Sequence, residues 1–210
     1  MRVLIGTTNP AKQKVFQELL RGYDVQLVSL VDLDIEDEPD ENGRNPADNA
    51  AIKAAFYGRY ADYVICNDAG LYLDGLDLDD PRQPGLHIRT PNGKRLDDEE
   101  MIAHYSRLMR ELGGRVQAYY LNGFAVRTPA GVKRYLEKRE DALKEAFWML
   151  DTPVEARRPG WPLDSLSKEL DDTSFLEEGV ELKPSTTGAT KKAWVRFLTS
   201  ALGLDPLEEA

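Results

Sequence analysis

The stretch ENGRNPADNAAIKAAFYGRYADYVICNDAGL, residues 41–71, decides how the rest of the chain is read. Asn45 followed by Pro46 starts a helix: the Asn side chain accepts from N–H groups of the first turn, and Pro sits where its missing N–H costs nothing. Asp48 falls in the first turn, where its charge opposes the helix dipole. Ala47, Ala50, Ala51, Ala54, Ala55 and Gly58 recur at helical spacing, so one face is lined with small residues and predicts close approach to a neighbour. Asn49 and Lys53, four apart, share another face. The run Tyr63, Val64, Ile65, Cys66 is short, apolar and partly β-branched, and it reads as a buried strand. Asn67, Asp68, Ala69 and Gly70 then fall at its C-terminal end, where open α/β sheets place their ligands. Glu41, Lys53 and Asp68 thus offer an acid, a helix-borne lysine and a second acid, a set suited to metal-assisted chemistry on phosphate.

Upstream, residues 2–6 (RVLIG) form a second apolar run and predict a buried first strand. It leads through Thr7, Thr8 and Asn9 into Pro10 and Lys12, and Val15, Phe16, Leu19 and Leu20 stripe a helix that ends near Gly22. A strand entering a helix N-terminus through hydroxyl and amide side chains is either a phosphate cradle or an ordinary capped turn. Residues 25–30 alternate like a strand, and the acidic segment 32–41 is an exposed loop.

Downstream, residues 71–85 are rich in Asp, Gly and Pro and read as a loop. Asp97 and Asp98 open an amphipathic helix closed by Gly113 and Gly114, and His104 on it is a surface residue. Residues 115–126 and 132–137 read as an antiparallel pair joined at Thr128–Gly131, while residues 140–150 have helical composition with a third strand as the alternative. Trp161, between Gly160 and Pro162, either stacks on a ligand base or anchors packing. Residues 187–202 form a closing helix.

Composition narrows the classes. The 210 residues suffice for one domain spanning 1–210, and 41% are hydrophobic. With 27 basic against 37 acidic residues and a net charge of −10, no nucleic-acid surface and no anionic-membrane surface is expected. The lone Cys66 excludes an intrachain disulfide and reads as structural, and a cytoplasmic setting fits best. No apolar run approaches the roughly 20 residues that span a bilayer. Phosphate-loop, dinucleotide and nucleophile-elbow motifs are absent, and two distant histidines do not make a metal site.

In order and spacing the motifs resemble the inosine triphosphate pyrophosphatase family. Thr7, Asn9 and Lys12 match its [ST]xNxxK motif; Glu41, Gly43, Asp48, Asn49, Ala50, Lys53 and Ala54 match ExGxxxx[ED]NAxxKA; Asp68, Ala69, Gly70 and Leu71 match its strand-end acid and Gly-Leu, and Pro84–Gly85 its PG turn. The second half is fainter: Gly160, Trp161, Pro162 and Asp164 echo an aromatic loop, and Phe175, Leu176 and Glu177 a later acidic motif. The family's base-reading Ser-His-Arg aligns with Thr187, Gly188 and Ala189, and the first acid of its strand-end pair is Asn67 here.

The resemblance implies an elongated mixed β-sheet flanked by helices, with two lobes around a central cleft, usually in a homodimer. It implies Mg²⁺-dependent hydrolysis of a nucleoside triphosphate to the monophosphate and pyrophosphate. Glu41 and Asp68 would hold the metal, Asp68 and Lys53 would be catalytic, and Thr7, Asn9, Lys12, Asn49, Ala69, Gly70, Trp161 and Lys183 would bind substrate. The missing base readers leave two alternatives: a non-catalytic nucleotide-binding or regulatory protein of the same fold, or a hydrolase of another phosphorylated metabolite.

Overall fold

In the computed structural model, residues 1–170 and 188–206 are described; Thr187, Lys183 and the motif at Phe175, Leu176 and Glu177 lie outside them. Among the described residues seven strands, β1 (Arg2–Ile5), β2 (Gln26–Ser29), β3 (Val64–Leu73), β4 (Arg115–Thr128), β5 (Gly131–Leu136), β6 (Phe147–Leu150) and β7 (Ser167–Glu169), form a mixed sheet in the order β2-β1-β3-β4-β6-β7, with β5 paired to β4. Backbone packing divides the described residues between two compact units, one from the described parts of Met1–Ala69, Asn122–Glu137 and Thr187–Ala210, the other from the described parts of Gly70–Leu121 and Lys138–Thr186.

The first unit follows from short apolar runs that must be buried on both faces. Strand β1 (Arg2–Ile5) pairs in parallel with β2 (Gln26–Ser29), which follows it through α1 (Pro10–Leu19), and on its other edge with the start of β3 (Val64–Leu73), which the chain reaches from β2 through α2 (Pro46–Tyr57). Strand period sends alternate side chains to opposite faces. Val3, Ile5, Ile65 and, on β4 (Arg115–Thr128), Phe124 and Val126 pack with α1 and with Trp194 and Leu198 of the closing helix Gly188–Leu202. Leu4, Val64, Cys66 and Ala125 take the other face with Ala50, Ala54 and Tyr57 of α2. Strand β5 (Gly131–Leu136) completes the hairpin, from Thr128 opposite Gly131 to Gly123 opposite Leu136.

Helix α2 uses its small face as expected for Ala47, Ala50 and Ala54, which are buried, while Ala51 is half-buried and Ala55 exposed. The closest approach is at Gly123, where a Cβ would stand 2.1 Å from the Ala47 backbone nitrogen and 2.2 Å from the Pro46 carbonyl carbon.

In the second unit, α3 (Asp98–Glu111) begins with a capping box between Asp97 and Glu100 and buries Met101, Ile102, Tyr105, Leu108 and Met109. Two expectations need correction here. Residues 71–73 are strand rather than loop, because Leu71 and Leu73 alternate into the core with Met101 and Phe147. Asp68 therefore lies within a ten-residue strand and not at its end. Helical character after residue 139 lasts only through α4 (Arg139–Ala142) and the turn Leu143–Glu145. Strand β6 (Phe147–Leu150) follows, with Phe147 and Met149 buried against β4 and against β7 (Ser167–Glu169), a strand the sequence did not suggest.

Because backbone, not a movable side-chain end, confronts position 123, Gly123→Ala is expected to cost about 3 kcal/mol, the upper range for overpacking a core. Urea denaturation of the variant beside the parent chain measures it; a loss under about 1 kcal/mol would mean that α2 and β4 are not in this contact.

Candidate functional site

The cluster of interest lies within the first unit and is built on α2. Asn45 accepts the Asp48 N–H at 2.9 Å, and Asp48 in turn accepts from the Asn45 amide at 3.1 Å. The other Asp48 oxygen is held by Arg134 of β5, 86 residues away in sequence, which no local signal announces. This pinned N-terminus aims Asn49 and Lys53, one turn apart, at β3. Asp68 meets them because it follows Val64 and Cys66 on the α2 face.

Lys53 Nζ lies 3.0 Å from Glu41 Oε2 and 3.4 Å from Asp68 Oδ1. Asn49 donates to the remaining oxygen, Asp68 Oδ2, at 2.9 Å. The Lys53 and Asp68 side chains are 13% and 14% exposed and Glu41 40%, so the cluster is closed at its base and open at Glu41. Burial works to lower the Lys53 pKa, but the Asp68 and Glu41 carboxylates outweigh it and hold it above the ordinary value. Lys53 is therefore a fixed cation.

Lys12 behaves differently. It comes from the loop after β1, where Thr7 Oγ1 accepts the Asn9 N–H at 3.2 Å and Asn9 Oδ1 caps α1 through the Ala11 N–H at 2.9 Å. Thr7 and Asn9 thus build the turn that carries Lys12 to the cluster. Desolvation by burial, and then the Lys53 charge, lower the Lys12 pKa to about 8, with Asp68 and Glu41 opposing. Behind the cluster, burial pushes the Cys66 thiol up to about 12. An inert, packed thiol matches the structural role expected for Cys66.

Asn67 points to the opposite face of β3 from Asp68. It is buried, and its amide donates to the Gly123 carbonyl at 3.0 Å and the Asp68 carbonyl at 3.1 Å. An ionised Asp at 67 has no proton for either carbonyl, so the departure from the family pattern supplies a bond between β3 and β4.

Of the other expected residues, Ala69 follows Asp68 in the same unit, and Gly70 belongs to the second. A Cβ at Gly70 would stand 2.8 Å from the Tyr72 ring and 3.2 Å from the Gly85 carbonyl oxygen, while the Leu71 N–H donates to that oxygen at 2.9 Å. The PG turn therefore lies against β3. Trp161, also in the second unit, is half-buried with the Arg158 guanidinium 5.9 Å from its ring centroid. A groove of about 500 Å³ along α2 and β5 touches Gly43, Asp48 and Arg134 but includes none of Glu41, Lys53, Asp68 and Lys12.

The donor set can be tested against a metal. Among the described residues no group of three or more His, Cys, Asp or Glu side chains converges. Glu41 and Asp68 are hard oxygen donors on one cation, Lys53, and two carboxylates suit an ion of the Mg²⁺ class, which keeps waters and takes phosphate oxygens for its remaining positions.

A lysine with a pKa of about 8 is cationic at pH 7 and mostly neutral at pH 9. Calorimetric affinity for inorganic pyrophosphate is expected to fall up to about tenfold more over that interval in the parent chain than in Lys12→Arg, which stays charged throughout. Equal pH dependence in the two proteins would show that Lys12 takes no part in binding the anion.

A family model described as Ham1 family matches residues 3–140. A dITP/XTP pyrophosphatase of Thermoanaerobacter pseudethanolicus is 30% identical over 187 residues, covering 85% of this chain and 88% of the relative. One from Bacillus subtilis is 34% identical over 114 residues, covering 53% of each. The fold is shared with a HAM1 protein from Coxiella burnetii (TM-score 0.62, 18% identity, 96% of this chain and 100% of that one) and with the Staphylococcus aureus Ham1 protein (TM-score 0.59, 19% identity, 81% and 82%).

Proposed function

Since the chain belongs to the Ham1 family, we propose that it hydrolyses purine nucleoside triphosphates with altered bases to the monophosphate and pyrophosphate. The observation that carries the reading is the Glu41–Lys53–Asp68 bridge, whose charges act on Lys12, in the chain order that the family motifs require.

In this reading Asp68 orients the attacking water and accepts its proton, since each of its oxygens has one donor and keeps lone-pair capacity for another. Lys53 and Lys12 bind and neutralise the phosphates; Lys183, proposed as a further phosphate partner on the resemblance alone, lies outside the described residues; Thr7 and Asn9 hold the loop that bears Lys12. A divalent ion, Mg²⁺ in our proposal, would rest on Glu41 and Asp68 and offset charge on the phosphate oxygens. Ala69, in the same unit as Asp68, and Gly70 and Trp161, in the second, are proposed to touch substrate on the motif resemblance alone. At the positions aligned with the family's base readers, Gly188 and Ala189 offer no polar side chain, so the base is read elsewhere or loosely.

Strands β3 and β4 contribute residues to both compact units, which supports reading 1–210 as one domain. Among the described residues no helix is long and apolar enough to cross a membrane. We further propose a cytoplasmic homodimer; light scattering is expected to give twice the chain mass of 23.6 kDa, and a monomer at micromolar concentration would end the dimer proposal.

The decisive experiment is a nucleotide panel including dITP, XTP and ITP, with pyrophosphate and orthophosphate measured separately. Mg²⁺-dependent pyrophosphate release is expected from at least one of these. Asp68→Asn is expected to reduce kcat at least about 1000-fold, and Glu41→Gln or Lys53→Ala about 100-fold, as for loss of positioned electrostatic groups. Tight binding without product would favour a non-catalytic nucleotide binder, and cleavage of sugar nucleotides alone would favour another phosphorylated metabolite.

A further inference from the structure

Asn49 is 3% exposed among the groups that carry the proposed chemistry, and its carboxamide must place an acceptor and a donor there. Oδ1 accepts the Gly43 N–H at 2.8 Å and Nδ2 donates to Asp68 Oδ2 at 2.9 Å. Lys53 takes Asp68 Oδ1 at 3.4 Å and reaches Glu41 at 3.0 Å. Glu41 is two residues from Gly43, so the contacts close a ring: Glu41, Lys53, Asp68, Asn49, Gly43 and back along the chain. The loop seats tightly on Asn49, since a Cβ at Gly43 would stand 2.6 Å from Oδ1. Lys53 alone fixes one oxygen and leaves the Asp68 carboxylate able to turn about its Cβ–Cγ bond. Donors on both oxygens fix its plane.

Resting on the pyrophosphatase reading, we infer that Asn49 is a positioning residue: it sets the plane of the Asp68 carboxylate and ties the Glu41 loop to it. This moves Asn49 out of the substrate-binding set expected from the sequence, because both of its polar ends are turned inward. A neutral amide does this without a charge beside Asp68. An Asp in its place keeps the Gly43 acceptor but sets a second carboxylate against the first.

The test compares the parent chain with Asn49→Ala and Asn49→Asp for kcat, KM and thermal midpoint and, with no nucleotide present, for Mn²⁺ affinity by calorimetry. In both variants kcat is expected to fall about 100-fold with KM within about threefold, the signature of a misplaced reacting group. Mn²⁺ affinity of Asn49→Ala is expected to fall about tenfold, as when a partner that orients a metal ligand is removed. Asn49→Ser, which keeps a hydroxyl near Gly43, replaces the Ala variant if that one does not fold. A rise in KM at unchanged kcat would return Asn49 to substrate binding and overturn the inference, as would parental kcat in a folded variant. Should the parent chain cleave no nucleotide, the pyrophosphatase reading fails by itself, and Mn²⁺ affinity decides: a tenfold loss sustains positioning, and an unchanged value overturns it.

Discussion

Everything at the cluster depends on one ammonium group held between two carboxylates. Lys53 is mostly withdrawn from water, and an isolated buried lysine would shed its proton. Asp68 and Glu41 prevent this, but only at the short distances observed, and a buried ion pair with poor geometry returns less than its desolvation costs. The helix bearing Lys53 must therefore be held to within a fraction of an ångström. Three features of the first unit do so: the Asn45–Asp48 cap clamped by Arg134, the alanine face that lets α2 lie on β4 at Gly123, and the Glu41 loop seated on Asn49 at Gly43.

Much of this was legible because it is local. Helix α2 announces its start through Asn45 and Pro46, its packing face through the alanine spacing and its chemical face through Asn49 and Lys53. Strands β1 and β3 announce themselves as apolar runs, and period-two alternation then places Asp68 on the α2 face. What stayed hidden depends on contacts distant in sequence. The continuation of β3 beyond Asp68 was masked by turn-forming residues after Leu73, and only the second core explains why Leu71 and Leu73 are strand. Strand β6 sits in a segment of helical composition and is extended because β4 and β7 flank it. Arg134 on Asp48 spans 86 positions with no periodicity to betray it.

Asn67 departs from the family pattern and yet belongs to the frame of the site. Against the family pattern it is a missing negative charge. In the fold it is a buried donor to two carbonyls, one of them at the glycine on which α2 rests. A buried carbonyl left without a donor costs roughly 1–3 kcal/mol, so the amide contributes to the frame that aligns Asp68. Its presence therefore carries little weight against catalysis, because the frame that it supports bears the carboxylate to which the proposed chemistry is assigned.

The two lysines explain why such a frame suits an anionic substrate. Their pKa values move in opposite directions: at Lys53 the Asp68 and Glu41 carboxylates outweigh burial, whereas at Lys12 burial and the Lys53 charge outweigh the same carboxylates. Lys12 keeps its charge less readily and lies beside another cation, so of the two it gains more from an arriving anion. A phosphate chain would add negative charge beside Lys12, while leaving the Lys53 bridge and the Asp68 plane as they are. Binding energy would then come chiefly from relieving Lys12 and not from rearranging the groups that act on the bond, which is the preorganisation that phosphoryl chemistry requires.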